Sequence, residues 1–294
     1  MEELGMWDEF AALGPCRITR CKLNFGHYTN QWNLTECAWG LSRLQLDTLL
    51  LDKAARLGAV VHRGEVFDRH RHNPINAPLI VACGRQPSIK RGNRLFGFKA
   101  HFDGPSDDGV ELFFDACGYV GVSGIENQQT NVCGIAREST LRQYGFNFDE
   151  FVRRSPSMAE RLGPLRRRMR WIVVGPIVFS SPRHRSSRDN VYAAGDALGF
   201  VDPFTGSGIF NAILTGQVAG FAAARGISTA AYLRLCRSLL GMPFAASSIL
   251  RGLAGHTELH RFAPYVPGQM LFRWTRARVE RAHEMSGRLW SPGQ

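Results

Sequence analysis

Residues 191–224 concentrate the residue types that can do chemistry in this sequence. The run VYAAGDALGFVDPFTGSGIFNAILTGQVAGFAAA reads as a buried strand, a loop rich in glycine and proline, and a long helix opening near Ser207 to Ile209. Gly195 and Asp196 close the strand, and the carboxyl end of a parallel strand faces the crevice in which α/β sheets bind ligands. There Asp196 can accept hydrogen bonds from sugar or polyol hydroxyls. Gly206 and Gly208 allow backbone to approach a flat ligand, and the helix that follows presents unpaired N–H groups to negative charge. Ile209, Phe210 and Asn211 place no acidic side chain in its first turn. A second reading of the same residues is a plain strand-to-helix turn in which Asp196 caps local backbone.

Other pairings carry less. His256 and His260 stand four apart, but Glu258 is not placed as in HExxH and no third ligand follows, so no metal site is expected. His70 and His72 alternate beside Arg69 and Arg71, the pattern of a solvated strand end. No GxSxG or P-loop GK[ST] string occurs. Cysteines 16, 21, 37, 83, 117, 133 and 236 are odd in number and form no CxxC pair, which signals neither a disulfide framework nor zinc and fits a reducing cytoplasm.

The string GDALGFVDPFTGSGI resembles the GD motif, the second flavin motif, of the FAD-dependent oxidoreductases that include geranylgeranyl reductases, aromatic-ring hydroxylases and flavin-dependent halogenases. LSRLQLDTLLLDKAARLGAVV and VACGRQPSIKR resemble two further segments of that family, in the same order. The resemblance runs over about residues 1–225. It implies that Asp196 binds the ribityl chain of FAD, and that the backbone around Gly195, Pro203, Gly206, Ser207, Gly208 and Ile209 lines the flavin ring. Arg43 matches an arginine that approaches the cofactor, with a solvated first-turn arginine as its other reading. Arg85 matches the arginine of the family's second segment, although Cys83 stands where the family has Asp. The resemblance further implies NAD(P)H or another electron donor, and either alkene reduction or oxygenation of a small apolar or aromatic substrate. It assigns no side chain as catalytic acid or base. A catalytically inactive remnant or binding protein of the same fold is the alternative.

Members of that family open with a strand, a GxGxxG turn, a helix and a second strand ending in an acidic residue. No GxGxxG occurs here; the nearest string, Gly206 to Asn211, lacks the third glycine. The expectation is a chain without its N-terminal dinucleotide crossover, whose true start lies upstream of Met1 or which is a degraded or assembly-dependent relative, and which purifies colourless. The YxWxFPK-like string of geranylgeranyl reductases is replaced by Tyr119 to Gly124, and the halogenase WxWxIP string is not seen.

The elements that must position these residues form an α/β pattern. Ser42 and Gln45 make a capping-box pair, Leu46, Leu49, Leu50, Ala54 and Leu57 recur at helical spacing, and Gly58 supplies the stop. Ala59 to Val61 and Glu65 to Phe67 read as short β runs, and Leu79 to Cys83 as a fully buried strand. Between Leu95 and Ser181 the runs LFGFKAHF, VELFF, GYVGVSG, TNVCGIA and WIVVGPIVF alternate with glycine-centred turns, with a polar, arginine-rich helical stretch near 139–168. Phe114 and Tyr119 are candidates for lining a substrate pocket, or ordinary sheet packing. The last stretch, 228–290, reads as helical with breaks at Pro243, Pro264 and Pro267. The fold expected is an incomplete FAD-binding Rossmann-like domain (1–93 and 182–226), an inserted, mainly antiparallel substrate-domain sheet (94–181) and a C-terminal helical region (227–294).

Composition limits the partners. Of 294 residues, 44% are hydrophobic and 21% charged, which excludes disorder, collagen and coiled coil. The net charge of +11 suggests nucleic acid, but lysine occurs only at 22, 53, 90 and 99, so the excess is an arginine-rich composition with no accompanying binding motif. No nucleic-acid partner is expected. Arg166, Arg167, Arg168 and Arg170 with Arg183, Arg185 and Arg188, and the run Arg273, Trp274, Arg276, Arg278 and Arg281, suggest peripheral contact with an anionic membrane or solvated faces. The acidic start carries no secretory signal pattern, and Gly208 to Ala224 is too short and too polar for a transmembrane helix.

Overall fold

The computed structural model describes residues 1–68, 77–85, 94–182 and 189–275. Its strands are β1 (Cys16–Phe25), β2 (Tyr28–Gly40), β3 (Leu79–Val81), β4 (Leu95–Asp103), β5 (Gly109–Asp115), β6 (Gly118–Gly124), β7 (Gln129–Arg137), β8 (Arg166–Arg167), β9 (Ile172–Ile177) and β10 (Val191–Ala193). The α-helices are α1 (Trp7–Ala12), α2 (Arg43–Arg56), α3 (Glu138–Gln143), α4 (Phe148–Phe151), α5 (Pro156–Leu162), α6 (Gly208–Ala224), α7 (Thr229–Ala254) and α8 (Gly268–Trp274). Two compact units share the chain: Met1–Val66 with Arg91–Ile177 and Gly255–Gln269, and Phe67–Lys90 with Val178–Ala254 and Met270–Gln294.

In the first unit the strands form one eight-stranded sheet of order β2-β1-β5-β6-β7-β4-β8, with β9 also paired to β4. The β1–β5 pair is parallel and the other pairs are antiparallel. Phe98, Ala100 and Phe102 of β4, Val120 and Val122 of β6 and Val132 of β7 pack on one face against Leu141, Phe148, Phe151, Met158 and Leu162. The stretch near 139–168 is helical as expected, with its apolar residues buried. Three short helices close the core of the sheet with their apolar side chains, while arginines in, between and after them pair with carboxylates. Arg154 Nε donates to Asp115 at 2.8 Å and its guanidinium lies 3.9 Å over Phe151; Arg161 pairs with Glu111; Arg167 pairs with Asp149 at 3.0 Å.

Helix α2 starts as its sequence requires, with the Ser42 side chain accepting the Gln45 amide. The other half of the capping box differs. The Ser42 amide donates to the buried Glu126 carboxylate at 2.8 Å, a partner supplied by tertiary contact rather than by Gln45. Ala59 to Val61 and Glu65 to Phe67 form no strands. Val60 and Val66 are 82% and 89% exposed, because β-prone residues make a strand only where a neighbouring edge takes their hydrogen bonds.

In the second unit, among the described residues, β3 pairs in parallel with β10 alone. With one neighbour, β3 shortens to Leu79–Val81 and leaves Ile80 exposed, against the fully buried Leu79 to Cys83 expected. Its core joins Tyr192, Leu198, Leu214, Ala219, Tyr232, Cys236 and Leu239. Helix α7 runs through Pro243 without breaking, whereas Pro264 lies in a 3₁₀ segment, Thr257–Tyr265, and Pro267 precedes α8. His70, His72, Arg183, Arg185, Arg188, Arg276, Arg278 and Arg281 lie outside the described residues.

Candidate functional site

The site is built where β10 hands the chain to α6. After Ala193 the backbone turns through a short 3₁₀ segment, Gly195–Ala197, with Gly195 at φ +57°. The Gly195 amide donates to Thr215 Oγ1 at 2.9 Å, which ties the turn to the second turn of α6. Phe200 and Ser180 then exchange backbone hydrogen bonds of 2.8 and 3.1 Å. Asp202 caps a second 3₁₀ turn, Pro203–Thr205, by accepting the Phe204 amide, and Gly206 closes it in the left-handed region at φ +66°. Open space surrounds the position of a side chain at Gly206 and at Gly208.

Helix α6 opens there without a side-chain cap, because the Ser207 hydroxyl instead pairs with Thr205 Oγ1 at 2.8 Å. Its first N–H groups and the positive end of its dipole are thus left to a ligand. In its first turn Asn211 is 5% exposed, and neither atom of its side-chain amide has a hydrogen-bond partner. A buried amide with four unmet bonding positions is costly unless something else completes it.

The loop is held from behind. Arg251, near the end of α7, pairs with the buried Asp202 carboxylate at 3.6 Å and lies 4.1 Å over the Phe179 ring. Phe179 stacks on Phe200, with ring centroids 5.7 Å apart and planes within 3°. The Arg85 guanidinium sits 5.8 Å over Phe200. Strand β10 is fixed to the helices through tyrosine hydroxyls: Tyr192 donates to the Ile227 carbonyl and Tyr232 to that of Ala193, both at 2.6 Å. Burial raises both tyrosines above their ordinary pKa, so they remain donors at neutral pH.

Gly195, Asp196, Pro203, Gly206, Ser207, Gly208, Ile209 and Arg85 all fall in the second unit. Asp196 is half-buried within the first 3₁₀ turn. Arg43, Phe114 and Tyr119 belong to the first unit. Arg43 is exposed and bonded through two nitrogens to Asp47, at 3.0 and 3.1 Å. Phe114 and Tyr119 are buried in an aromatic cluster, Phe114 stacked on Phe25 at 4.8 Å and 5.6 Å from Tyr119. Sequence reading missed Asn211, Thr215, Asp202 and Arg251. The polar pair 211 and 215, one helical turn apart inside an apolar run, and the Asp-Pro cap at 202–203 were the available signals. Among the described residues no group of three or more His, Cys, Asp or Glu side chains is placed to hold a metal.

No family model and no curated protein matches the sequence. Solved structures do match. The flavin-dependent brominase Bmp2 superposes with a TM-score of 0.71 at 14% identity, over 98% of this chain and 85% of that one. The fold is shared with flavin-dependent halogenases. A flavoprotein/dehydrogenase from Cytophaga hutchinsonii matches with a TM-score of 0.65 at 16% identity, over 98% of this chain and 87% of that one. The myxobacterial chondrochloren halogenase CndH matches with a TM-score of 0.65 at 15% identity, over 97% and 77%. At these identities the likeness is one of architecture: a mixed α/β chain with a large sheet and C-terminal helices.

Proposed function

We propose that this chain is an FAD-dependent oxidoreductase of the monooxygenase type, acting on a small apolar or aromatic substrate with NAD(P)H or another donor. The observation that carries the reading is Asn211, a buried amide without a partner in the first turn of an uncapped helix, behind the open backbone of Gly206 and Gly208. These residues fit a flavin ring, whose edge of alternating carbonyl and N–H groups is complementary to an amide and to helix N–H donors. FAD, when bound, supplies the two-electron chemistry that side chains lack.

The chain's own part is binding and electrostatics. Asp196 accepts hydrogen bonds from ribityl hydroxyls. The backbone from Pro203 to Ile209 lines the ring and admits it closely because two glycines stand there. The N-terminus of α6 favours negative charge and so stabilises the reduced cofactor. Thr215 holds the Gly195 turn and Asp202 the Pro203–Thr205 turn, the two turns that would present these groups to the cofactor.

Titration of the purified protein with FAD tests this. Saturable quenching of flavin fluorescence at one equivalent is expected, weakened by Asp196→Ala and by Asn211→Leu. A protein that leaves flavin fluorescence unchanged defeats the reading. A binding protein without catalysis is the second reading, favoured by Cys83, which is exposed beyond β3 and offers no carboxylate there. Reduction of the bound flavin by NADPH and its reoxidation by oxygen discriminate the two.

A further inference from the structure

The 3₁₀ segment Thr257–Tyr265 sorts its side chains into three faces, because residues three apart eclipse one another in such a helix. One face is anchored. His260 is 7% exposed and sits 5.0 Å from the Phe25 ring, and Asn30 Nδ2 donates to the carbonyls of Ala263 and Val266, each at 2.8 Å. The second face, Glu258, Arg261 and Pro264, is polar or proline. The third is a ridge of Leu259, Phe262 and Tyr265, which are 39%, 50% and 82% exposed. It runs about 12 Å at roughly 2 Å per residue. The backbone behind is fixed, and the ridge presents these three side chains to solvent, Phe262 beneath the Arg261 guanidinium.

We propose that this ridge docks on an anionic lipid surface. Its size argues against a protein partner. With about 200 Å² for a whole aromatic side chain, the ridge offers on the order of 300 Å², whereas a stable interface covers roughly 800 Å² on each side. A bilayer interface, by contrast, accepts a few inserted aromatic and leucine side chains one at a time. Charge favours it for the chain as a whole, which carries +11; at the ridge Arg261 lies 4.8 Å over the Phe262 ring, with Glu258 on the same face as Arg261 offsetting it. No helix of the described residues is long and apolar enough to cross a membrane, so the contact is peripheral.

Flotation of the full chain with vesicles tests this, independently of any flavin. The wild type is expected to float with phosphatidylcholine vesicles containing phosphatidylserine, not with phosphatidylcholine alone, and less in high salt. The double variant Phe262→Ser/Tyr265→Ser is expected to lower the bound fraction at least about tenfold, with at most a small fall in Tm because Tyr265 faces solvent and Phe262 is half-exposed under Arg261. Absence of wild-type flotation overturns the proposal. So does flotation of the double variant at the wild-type level, which assigns the binding to net charge without the ridge. Concentration-dependent dimerisation on size exclusion that the double variant abolishes overturns it in favour of a second copy.

Discussion

The amide of Gly195 donates to the hydroxyl of Thr215 at 2.9 Å, and that hydroxyl in turn donates to the Asn211 carbonyl at 2.7 Å. Thr215 is 1% exposed, so one buried hydroxyl joins the turn that carries Asp196 to the helix that opens at Gly208. Thr215→Val keeps the shape and removes the acceptor, leaving the Gly195 N–H without its partner. A loss of about 1 to 3 kcal/mol in urea unfolding is expected. FAD affinity is expected to fall with it, and Thr215→Ser to retain most of both.

Arg251 and Asp202 form a pair in which the carboxylate is buried and the guanidinium is partly exposed. Arg251→Met leaves that carboxylate without its cation and is expected to cost about 1 to 3 kcal/mol, less than a fully buried pair. Arg251→Met/Asp202→Asn is expected to recover part of the loss. Chemical denaturation of the four proteins of this cycle measures the coupling, and strict additivity would show that the pair does not matter.

Hydrogen bonds from Arg94 and Arg142 hold the Glu138 carboxyl below its ordinary pKa. A carboxylate lowered in the folded state adds stability at pH values above its unfolded pKa, and that stability is lost as the pH falls through the folded value. Glu138→Gln is therefore expected to lower Tm at neutral pH. The gap from wild type should close as the pH drops below about 4. A gap independent of pH would assign the effect to packing.

The thiols divide by environment. Burial pushes Cys21 up to about 12 and Cys236 up to about 11, and raises Cys133 as well, so all three stay protonated; Cys21 and Cys236 are also buried from solvent. Cys37 and Cys83 are exposed. A thiol reagent at neutral pH is expected to modify Cys37 and Cys83 first, and Cys21 and Cys236 only after denaturation. Peptide mapping reads the order.

Much of the local structure was legible because it depends on neighbours in the chain. Ser42 caps α2, the runs LFGFKAHF, VELFF, GYVGVSG and TNVCGIA form strands, and a helix opens at Gly208 after the glycine-rich loop. Reading failed where a segment's fate lies with remote partners. The β-prone residues near Val60 and Val66 found no edge to pair with. The arginine-rich stretch at 139–168 was legible as helical, but not that its Arg154 and Arg161 meet Asp115 and Glu111 of the sheet.

The sequence by itself determined which residues turn, which alternate and which cap, since these follow from φ preference and from side chains reaching three or four residues away. Tertiary structure alone decided that Thr215 meets Gly195, that Arg251 meets Asp202, that Arg85 covers Phe200 and that Asn211 is left without a partner. Those relations need distant segments brought together. Periodicity reveals that a face is apolar or polar, and only closure of the chain shows what that face meets.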